Sequence, residues 1–207
     1  VIASPKVKLD IRQSKNRMNI TEKEIINPST LAEHYGWKTL IAHHNSEEAI
    51  SFYKKLKPTF GIIFGARILS KNVIDSFSNG IINFHPGVLP ENRGLDNLKW
   101  AIYNNLPQGV TTHLIDENID VGQQIYKEFI DLDSEDTIFD VNSKIFDLQM
   151  MHLDRLLQEN FNIKHLESLK SQYKSQKAVS DQIDNEIFNN FENYKNKYSK
   201  ILELYSK

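Results

Sequence analysis

Three polar side chains of this sequence could do chemistry together: Asn83, His85 and Asp120. Asn83 and His85 are two residues apart at the end of a short apolar run. On a strand they would point from one face at the carboxyl edge of a sheet, where open α/β sheets bind ligands. An amide and a protonated imidazole can donate hydrogen bonds to the oxyanion of a tetrahedral intermediate, and a carboxylate can orient the imidazole and relay a proton. This combination predicts transfer of an acyl-type group to an amine, which needs no covalent enzyme intermediate.

The same residues also have a purely structural interpretation. Asn83 and His85 before Pro86 could form only a polar strand end, and Asp120 before Val121 could be only a turn residue. Their spacing leaves both interpretations open. Other common active sites are excluded, because the sequence has no G-x-S-x-G elbow, no P-loop and no G-x-G-x-x-G.

The elements that must position these residues alternate between strands and helices. Apolar runs at residues 60–64 and 80–85 flank a short helical segment that Ser70 can cap, which predicts a parallel βαβ unit with a right-handed crossover. A further strand is predicted at 109–115 and a long helix over about 133–148. The expected fold is α/β, with a doubly wound, mostly parallel sheet and a short helical C-terminal extension.

The C-terminal part has its own pattern. Apolar residues recur there at alternating four- and three-residue steps, which predicts a helix with one narrow apolar seam. We therefore expect a catalytic domain at 1–160 and a helical extension at 161–207. Because the other faces of this helix are polar, the seam favours a homodimer. The seam consists of Ile187, Phe191, Tyr194, Tyr198, Ile201 and Tyr205.

Composition narrows the classes of partner. The 207 residues carry a formal net charge of -2 and no cysteine, so nothing indicates nucleic-acid binding, disulfides or thiolate metal sites. No apolar run is long enough to span a bilayer, and His43 and His44 lack the spacing of a metal site. We expect a cytoplasmic protein that acts on small molecules and binds no metal. The basic residues within 6–23 form either a solvated loop or a lip that attracts an anionic substrate.

Longer stretches of the sequence resemble the formyltransferase family, which uses 10-formyltetrahydrofolate to formylate amines. In chain order, the resemblance is carried by FGARILS at 64–70, NFHPGVLP at 83–90, the Arg93-Gly94 pair, GVTTH at 109–113 and DVG at 120–122. It implies a Rossmann-like core in which Asn83, His85 and Asp120 are the catalytic residues. It also implies that the first βα unit of the family is missing, since Val1 aligns with the second strand.

The resemblance assigns further residues to ligands. Arg93 would either contact the diphosphate of an acceptor or tie down its own loop through carbonyl groups. His113 would either support the site or pack the strand. The pterin of the folate would be bound mostly by backbone groups of two loops, which contain Arg67, Ile68, Leu69, Asp116 and Ile119.

Departures from the family's subgroups indicate the acceptor. Purine-pathway members have Pro-Ser where Pro86-Gly87 stands, and methionyl-tRNA formyltransferases have a larger C-terminal barrel and a basic character. The resemblance is better to members that formylate nucleotide-linked amino sugars, of the dTDP-4-amino-4,6-dideoxyhexose type used in O-antigen and lipopolysaccharide biosynthesis. Glycinamide ribonucleotide formylation is one alternative, and a non-catalytic relative that binds folate or nucleotide is another.

Overall fold

The computed structural model describes residues 2–3, 27–63, 68–118, 120–164, 166–169 and 172–199. The basic segment at 6–23 lies outside these ranges. So do two of the predicted pterin residues, Arg67 and Ile119, and two residues of the predicted seam, Ile201 and Tyr205.

In the described ranges strands and helices alternate as far as residue 115, after which two strands follow each other directly. The strands are β1 (Ile2–Ala3), β2 (Leu40–Ile41), β3 (Gly61–Ile63), β4 (Ile81–His85), β5 (Gly109–Ile115), β6 (Gly122–Phe129) and β7 (Glu167–Leu169). The helices are α1 (Pro28–His34), α2 (Glu47–Leu56), α3 (Lys71–Ile74), α4 (Asn97–Tyr103), α5 (Ile138–Gln158) and α6 (Asp181–Tyr198).

Local capping explains where the longer helices begin. Ser46 accepts a hydrogen bond from the Ala49 amide at 3.2 Å, which satisfies one of the free donors of α2. Thr137 and Asp140 form a capping box at the start of α5. The long helix therefore begins at Ile138, a few residues later than the acidic run alone predicted.

The larger sheet has five strands in the order β3-β4-β5-β6-β7, and β1 pairs with β2 in a separate parallel pair. Strands β3 and β4 are parallel and connected through α3, as predicted for the βαβ unit. Each following pair is antiparallel, so the α/β class is confirmed but the sheet is mixed rather than mostly parallel. The reason is that α4 does not return the chain across the sheet: β5 starts beside the end of β4, with Thr111 opposite His85.

The C-terminal residues pack on the same core as the rest of the chain. Strand β7 pairs with β6 at the sheet edge, so the part after residue 160 is not purely helical. Ile187, Phe191 and Tyr194 of α6 are buried in one cluster with residues of α4, β5 and α5. The described part of the seam is therefore covered within the chain, which removes the reason for expecting it to bind a second copy.

Polar contacts also connect α6 to the core. The ammonium of Lys99 on α4 donates to the carboxylate of Asp184 on α6, and both side chains are almost fully buried. The Tyr194 hydroxyl donates to the Leu106 carbonyl at 2.8 Å. These two contacts connect α6 to α4 and to the loop that follows α4.

Two kinds of feature are absent from the described ranges. None of the helices there combines the length and the apolar character that crossing a membrane requires. In the same ranges no three or more His, Cys, Asp and Glu side chains are grouped so that they could hold a metal ion.

Candidate active site

His85 is the last residue of β4 and its side chain is only 3% exposed. Its Nε2 lies 2.7 Å from the backbone oxygen of Asn92, and its Nδ1 lies 3.2 Å from Oδ1 of Asp120. Carbonyl and carboxylate oxygens only accept, so a ring with protons on both nitrogens can donate to both. Both nitrogens are thus engaged within the protein. Donation to a substrate oxygen, as the sequence predicted, requires Nε2 to leave the Asn92 oxygen.

Two buried asparagines, Asn92 and Asn97, lie beside Nε2 of the His85 ring. The side-chain amide of Asn92 donates to the backbone oxygen of Asn97 at 2.8 Å. The amide of Asn97 donates in return to the Asn92 oxygen at 3.0 Å. Gly87 also packs closely against this ring, because a Cβ there would lie 2.9 Å from His85 Nε2 and 2.8 Å from the Asn92 oxygen. Our sequence interpretation missed this asparagine pair, since its partners are backbone carbonyls that have no sequence signature.

Asp120 lies in the loop between β5 and β6, with a left-handed φ of 49° that Asp tolerates better than most residues. One carboxylate oxygen faces His85, and the other accepts the Gly94 amide at 2.7 Å. Burial raises the pKa of Asp120, but the hydrogen bond and charge of His85, the Gly94 amide and His113 together place this pKa below its ordinary value. The carboxylate is therefore ionised at neutral pH and held at both oxygens.

Asn83 is held by His113, its partner on β5, beside an irregularity in the pairing of β5 with β6. The Val121 oxygen accepts from His113 Nδ1 at 3.1 Å. This assigns the proton to Nδ1, so Nε2 accepts from the Asn83 amide nitrogen at 3.2 Å. The second hydrogen of that amide has no further partner in the described part of the chain. His113 thus orients Asn83 so that one N–H can donate to a ligand.

The environment of His113 keeps its ring neutral. Burial and, after it, the nearby charge of His85 together lower the pKa of His113 to about 4, against the opposing effects of Asp120 and of two backbone hydrogen bonds. A neutral ring can accept the hydrogen bond from Asn83, whereas a protonated ring cannot.

This depressed pKa predicts a pH-dependent stability. The unfolded chain protonates His113 near its ordinary pKa of 6.5, so the stability due to the neutral ring is full above pH 6.5 and is lost as pH falls toward 4. The loss amounts to about 3 kcal/mol. We expect urea denaturation of His113→Asn to show a correspondingly weaker decline of the free energy of unfolding over this range. His43→Asn, which removes an exposed imidazole, should keep the wild-type decline, and equal declines in all three proteins would contradict this origin.

The predicted pterin residues that the structure describes lie on two loops, one before α3 and one between β5 and β6. Leu69 is buried in a cluster with Val73 and Ile81, against which Ile115 packs. Its side chain is therefore part of the core. The side chain of Ile68, in contrast, is 62% exposed.

Each of these loops is fixed by a polar side chain. Asn45 was missed by our sequence interpretation, yet its amide donates to the Ile68 oxygen at 2.9 Å and accepts from the Ser70 amide at 2.8 Å. In the other loop, the Asp116 carboxylate accepts from the Asn118 amide at 2.7 Å. The only signal for Asn45 was its position before the helix cap Ser46.

Arg93 lies close to the site but faces inward. Its side chain is 6% exposed, and Nη1 donates to the backbone oxygen of Tyr173 at 2.6 Å. The resemblance left two roles open for Arg93, contact with a diphosphate or a structural hydrogen bond to a carbonyl group. This geometry supports the structural role.

Comparisons with known proteins bear on the family of this chain. A family model described as formyl transferase matches residues 6–157, which is more than half of the chain. The methionyl-tRNA formyltransferase of Clostridium tetani is 34% identical over 105 residues, which cover 50% of this chain and 34% of that protein. The chain thus spans about a third of the length of this relative.

Solved structures of similar fold include a sugar N-formyltransferase from a Shewanella species, with a TM-score of 0.55 and 23% identity over 73% of this chain and 59% of that one. Another is the formyltransferase PseJ from Anoxybacillus kamchatkensis in complex with UDP-4,6-dideoxy-4-formamido-L-AltNAc and tetrahydrofolate, with a TM-score of 0.53 and 17% identity over 72% and 80% of the two chains. At these identities the structures show a shared fold. Since the family model covers most of the sequence, from before β2 to the end of α5, this chain belongs to the formyl transferase family.

Proposed function

We propose that the protein transfers a formyl group from 10-formyltetrahydrofolate to the amino group of a nucleotide-linked amino sugar. The observation that carries this proposal is the convergence of Asn83, His85 and Asp120 at the carboxyl end of β4, where each has a fixed orientation. A module that only bound folate or nucleotide would not need an oriented amide, an imidazole and an ionised carboxylate together.

Each of the three residues has a defined part in the proposed reaction. Asn83 donates its remaining N–H to the oxyanion that forms when the amine attacks the formyl carbon. His85 adds a second donor when Nε2 exchanges the Asn92 oxygen for this oxyanion. Asp120, kept ionised by its surroundings, accepts the amine proton directly or through water. That proton passes to the departing folate nitrogen as its bond to the formyl carbon breaks, so the products are the formamide and tetrahydrofolate.

Two observations support an amino sugar as the acceptor. The structural neighbours include proteins named as sugar N-formyltransferases, and one is bound to a UDP-linked formamido sugar. The Pro86-Gly87 form of the motif, which the resemblance associates with sugar enzymes, is also required here. The His85 ring packs so closely on Gly87 that a side chain there would displace it.

Methionyl-tRNA is a second candidate acceptor. It is favoured by the 34% identity to the Clostridium tetani enzyme, which exceeds the identity to either structural neighbour. Against it stands the net charge of -2, because proteins that bind RNA usually present a basic surface.

A direct assay separates these acceptors. The protein is incubated with 10-formyltetrahydrofolate and, separately, with dTDP- and UDP-linked amino sugars, glycinamide ribonucleotide and methionyl-tRNA, and the products are identified by mass spectrometry. We expect a formylated amino sugar from the wild type and none from Asp120→Asn. Product only from glycinamide ribonucleotide or methionyl-tRNA would overturn the acceptor, and the absence of any formylated product would overturn the activity.

Asn45 provides a test of the folate side. Replacing Asn45 with Ala removes both hydrogen bonds that fix residues 68 to 70, each worth about 1 kcal/mol. We expect the KM for the folate to rise roughly tenfold while the KM for the acceptor stays near its wild-type value. Asn190→Ala, a matched change on the exposed face of α6, should change neither. Equal increases in both constants would place the effect outside the folate site.

A further inference from the structure

The loop that supplies Gly94 is bracketed by a segment near the C-terminus. We call residues 172–180 the strap. The Gln176 amide donates to the Arg93 oxygen at 2.9 Å, and the Leu95 amide donates to the Gln176 oxygen at 3.0 Å. Gly94 lies between these two bonds and bridges to Gln176. The strap is outside residues 6–157, so it does not belong to the segment that the family model matches.

Side chains fasten the strap at both ends of this contact. On one side, the Arg93 guanidinium donates to the Tyr173 oxygen at 2.6 Å. On the other, the Asp96 carboxylate accepts from the Val179 amide at 3.0 Å. Asp96 precedes α4 but makes no capping bond to it, so its carboxylate serves the strap instead.

The contact between strap and loop leaves no free space at Gly94. A Cβ on this residue would lie 2.1 Å from the Gln176 oxygen and 2.6 Å from the Gln176 nitrogen. Its φ of 99° is also one that residues with side chains rarely adopt. The N–H of Gly94 points the other way and donates to Asp120 Oδ2 at 2.7 Å. The strap therefore fixes the direction of a peptide group whose amide meets Asp120.

We propose that the strap is a positioning element of the active site, which aims the Gly94 amide at Asp120 and thereby holds this carboxylate against His85. The inference rests on the proposed formyl transfer and extends it, because it gives residues beyond the matched family segment a part in the reaction. Gln176 takes part only through its backbone N–H and C=O, so its side chain is dispensable.

The pKa of the Asp120 carboxylate depends on the hydrogen bond from the Gly94 amide. It is faced by His85 from β4, by His113 from β5 and by the Gly94 amide, and the bond from this amide is one of the interactions that lower the pKa of Asp120. Loosening the strap withdraws this bond. The carboxylate then protonates at higher pH, which moves the acid limb of the pH–rate profile upward.

Two pairs of variants test the proposal. Gln176→Pro removes the amide that binds Arg93, whereas Gln176→Ala keeps every backbone bond. Asp96→Ala removes the acceptor of the Val179 amide, whereas Asp96→Asn keeps an oxygen there and tolerates the left-handed φ of 52°. For Gln176→Pro we expect kcat to fall roughly a hundredfold, as misplacement of a catalytic group does, with KM little changed and the acid limb at higher pH. Asp96→Ala should show the same shift with a smaller loss, and both conservative variants should match the wild type.

The outcomes are distinguishable. If kcat falls in Gln176→Pro and Asp96→Ala but the acid limb stays at the wild-type pH, the strap only stabilises the fold and the inference is wrong. If Gln176→Pro does not fold, the comparison of Asp96→Ala with Asp96→Asn tests the proposal. If the wild type formylates no acceptor, the proposed function is wrong. The role of the strap is then tested by NMR spectroscopy. The Gly94 amide proton should titrate with Asp120 in the wild type and lose this titration in Asp96→Ala; an unchanged titration would contradict the strap's role.

Discussion

Replacing Asp120 with Asn is expected to lower kcat for formyl transfer by at least a hundredfold and to leave the protein folded. A preorganised group that acts on the transition state typically contributes a factor of about 10² to 10³. Asn has the same shape, tolerates the left-handed φ of 49° and can still accept the Gly94 amide through its oxygen. The change therefore removes the negative charge and the proton relay but little of the structure.

Steady-state kinetics together with thermal melting test this expectation. Asn83→Ala and His85→Ala should each lower kcat by about a hundred- to a thousandfold. Asp147→Asn, which neutralises an exposed carboxylate on α5, should behave as the wild type. Near-wild-type turnover in all three site variants would place the reaction elsewhere in the protein.

Replacing Asp184 with Leu is expected to destabilise the protein by about 3–5 kcal/mol, because it leaves the buried ammonium of Lys99 without this carboxylate. Substituting both partners should restore much of the loss, since well-packed apolar residues of similar volume replace a buried ion pair at little cost. We therefore expect the double variant Lys99→Met/Asp184→Leu to be considerably more stable than the single variant.

Urea denaturation measures these differences. The exposed pair Lys71–Asp75 is the matched control, and Asp75→Ala should leave the midpoint close to that of the wild type. A single variant as stable as the wild type would show that α6 does not depend on this ion pair. A double variant as unstable as the single variant would show that the packing around both residues is what matters.

The sequence allowed the βαβ unit and the positions of Asn83 and His85 to be predicted, because these depend on local patterns: apolar runs, alternation along a strand and the stop at Pro86. It did not allow the strand directions beyond β4 to be predicted. These depend on whether α4 crosses the sheet, and a seven-residue helix carries no such information in its sequence.

The surroundings of the site could be predicted only in part. The environment of His85 is set by the backbone oxygen of Asn92 and that of Asp120 by the backbone amide of Gly94, and any residue has such groups. The apolar seam of α6 was visible in the sequence, yet a seam can pack on its own core or on another copy. Only the tertiary structure places Ile187, Phe191 and Tyr194 inside the chain. The folate-binding roles of Arg67, Ile68, Leu69, Asp116 and Ile119 stay predictions.

The contacts of the strap and of α6 have a consequence for the order of events during synthesis. Arg93 and Tyr173 are 80 positions apart in the chain, and Lys99 and Asp184 are 85 apart. Chains emerge from the ribosome with the N-terminal part first, and contacts between distant positions form slowly because the loop between them must close. A nascent chain that already contains Asn83, His85 and Asp120 therefore lacks the segment that we propose aims the Gly94 amide. With this role of the strap, formyl transfer is expected to begin only after the C-terminal part has been made and has packed against the loop.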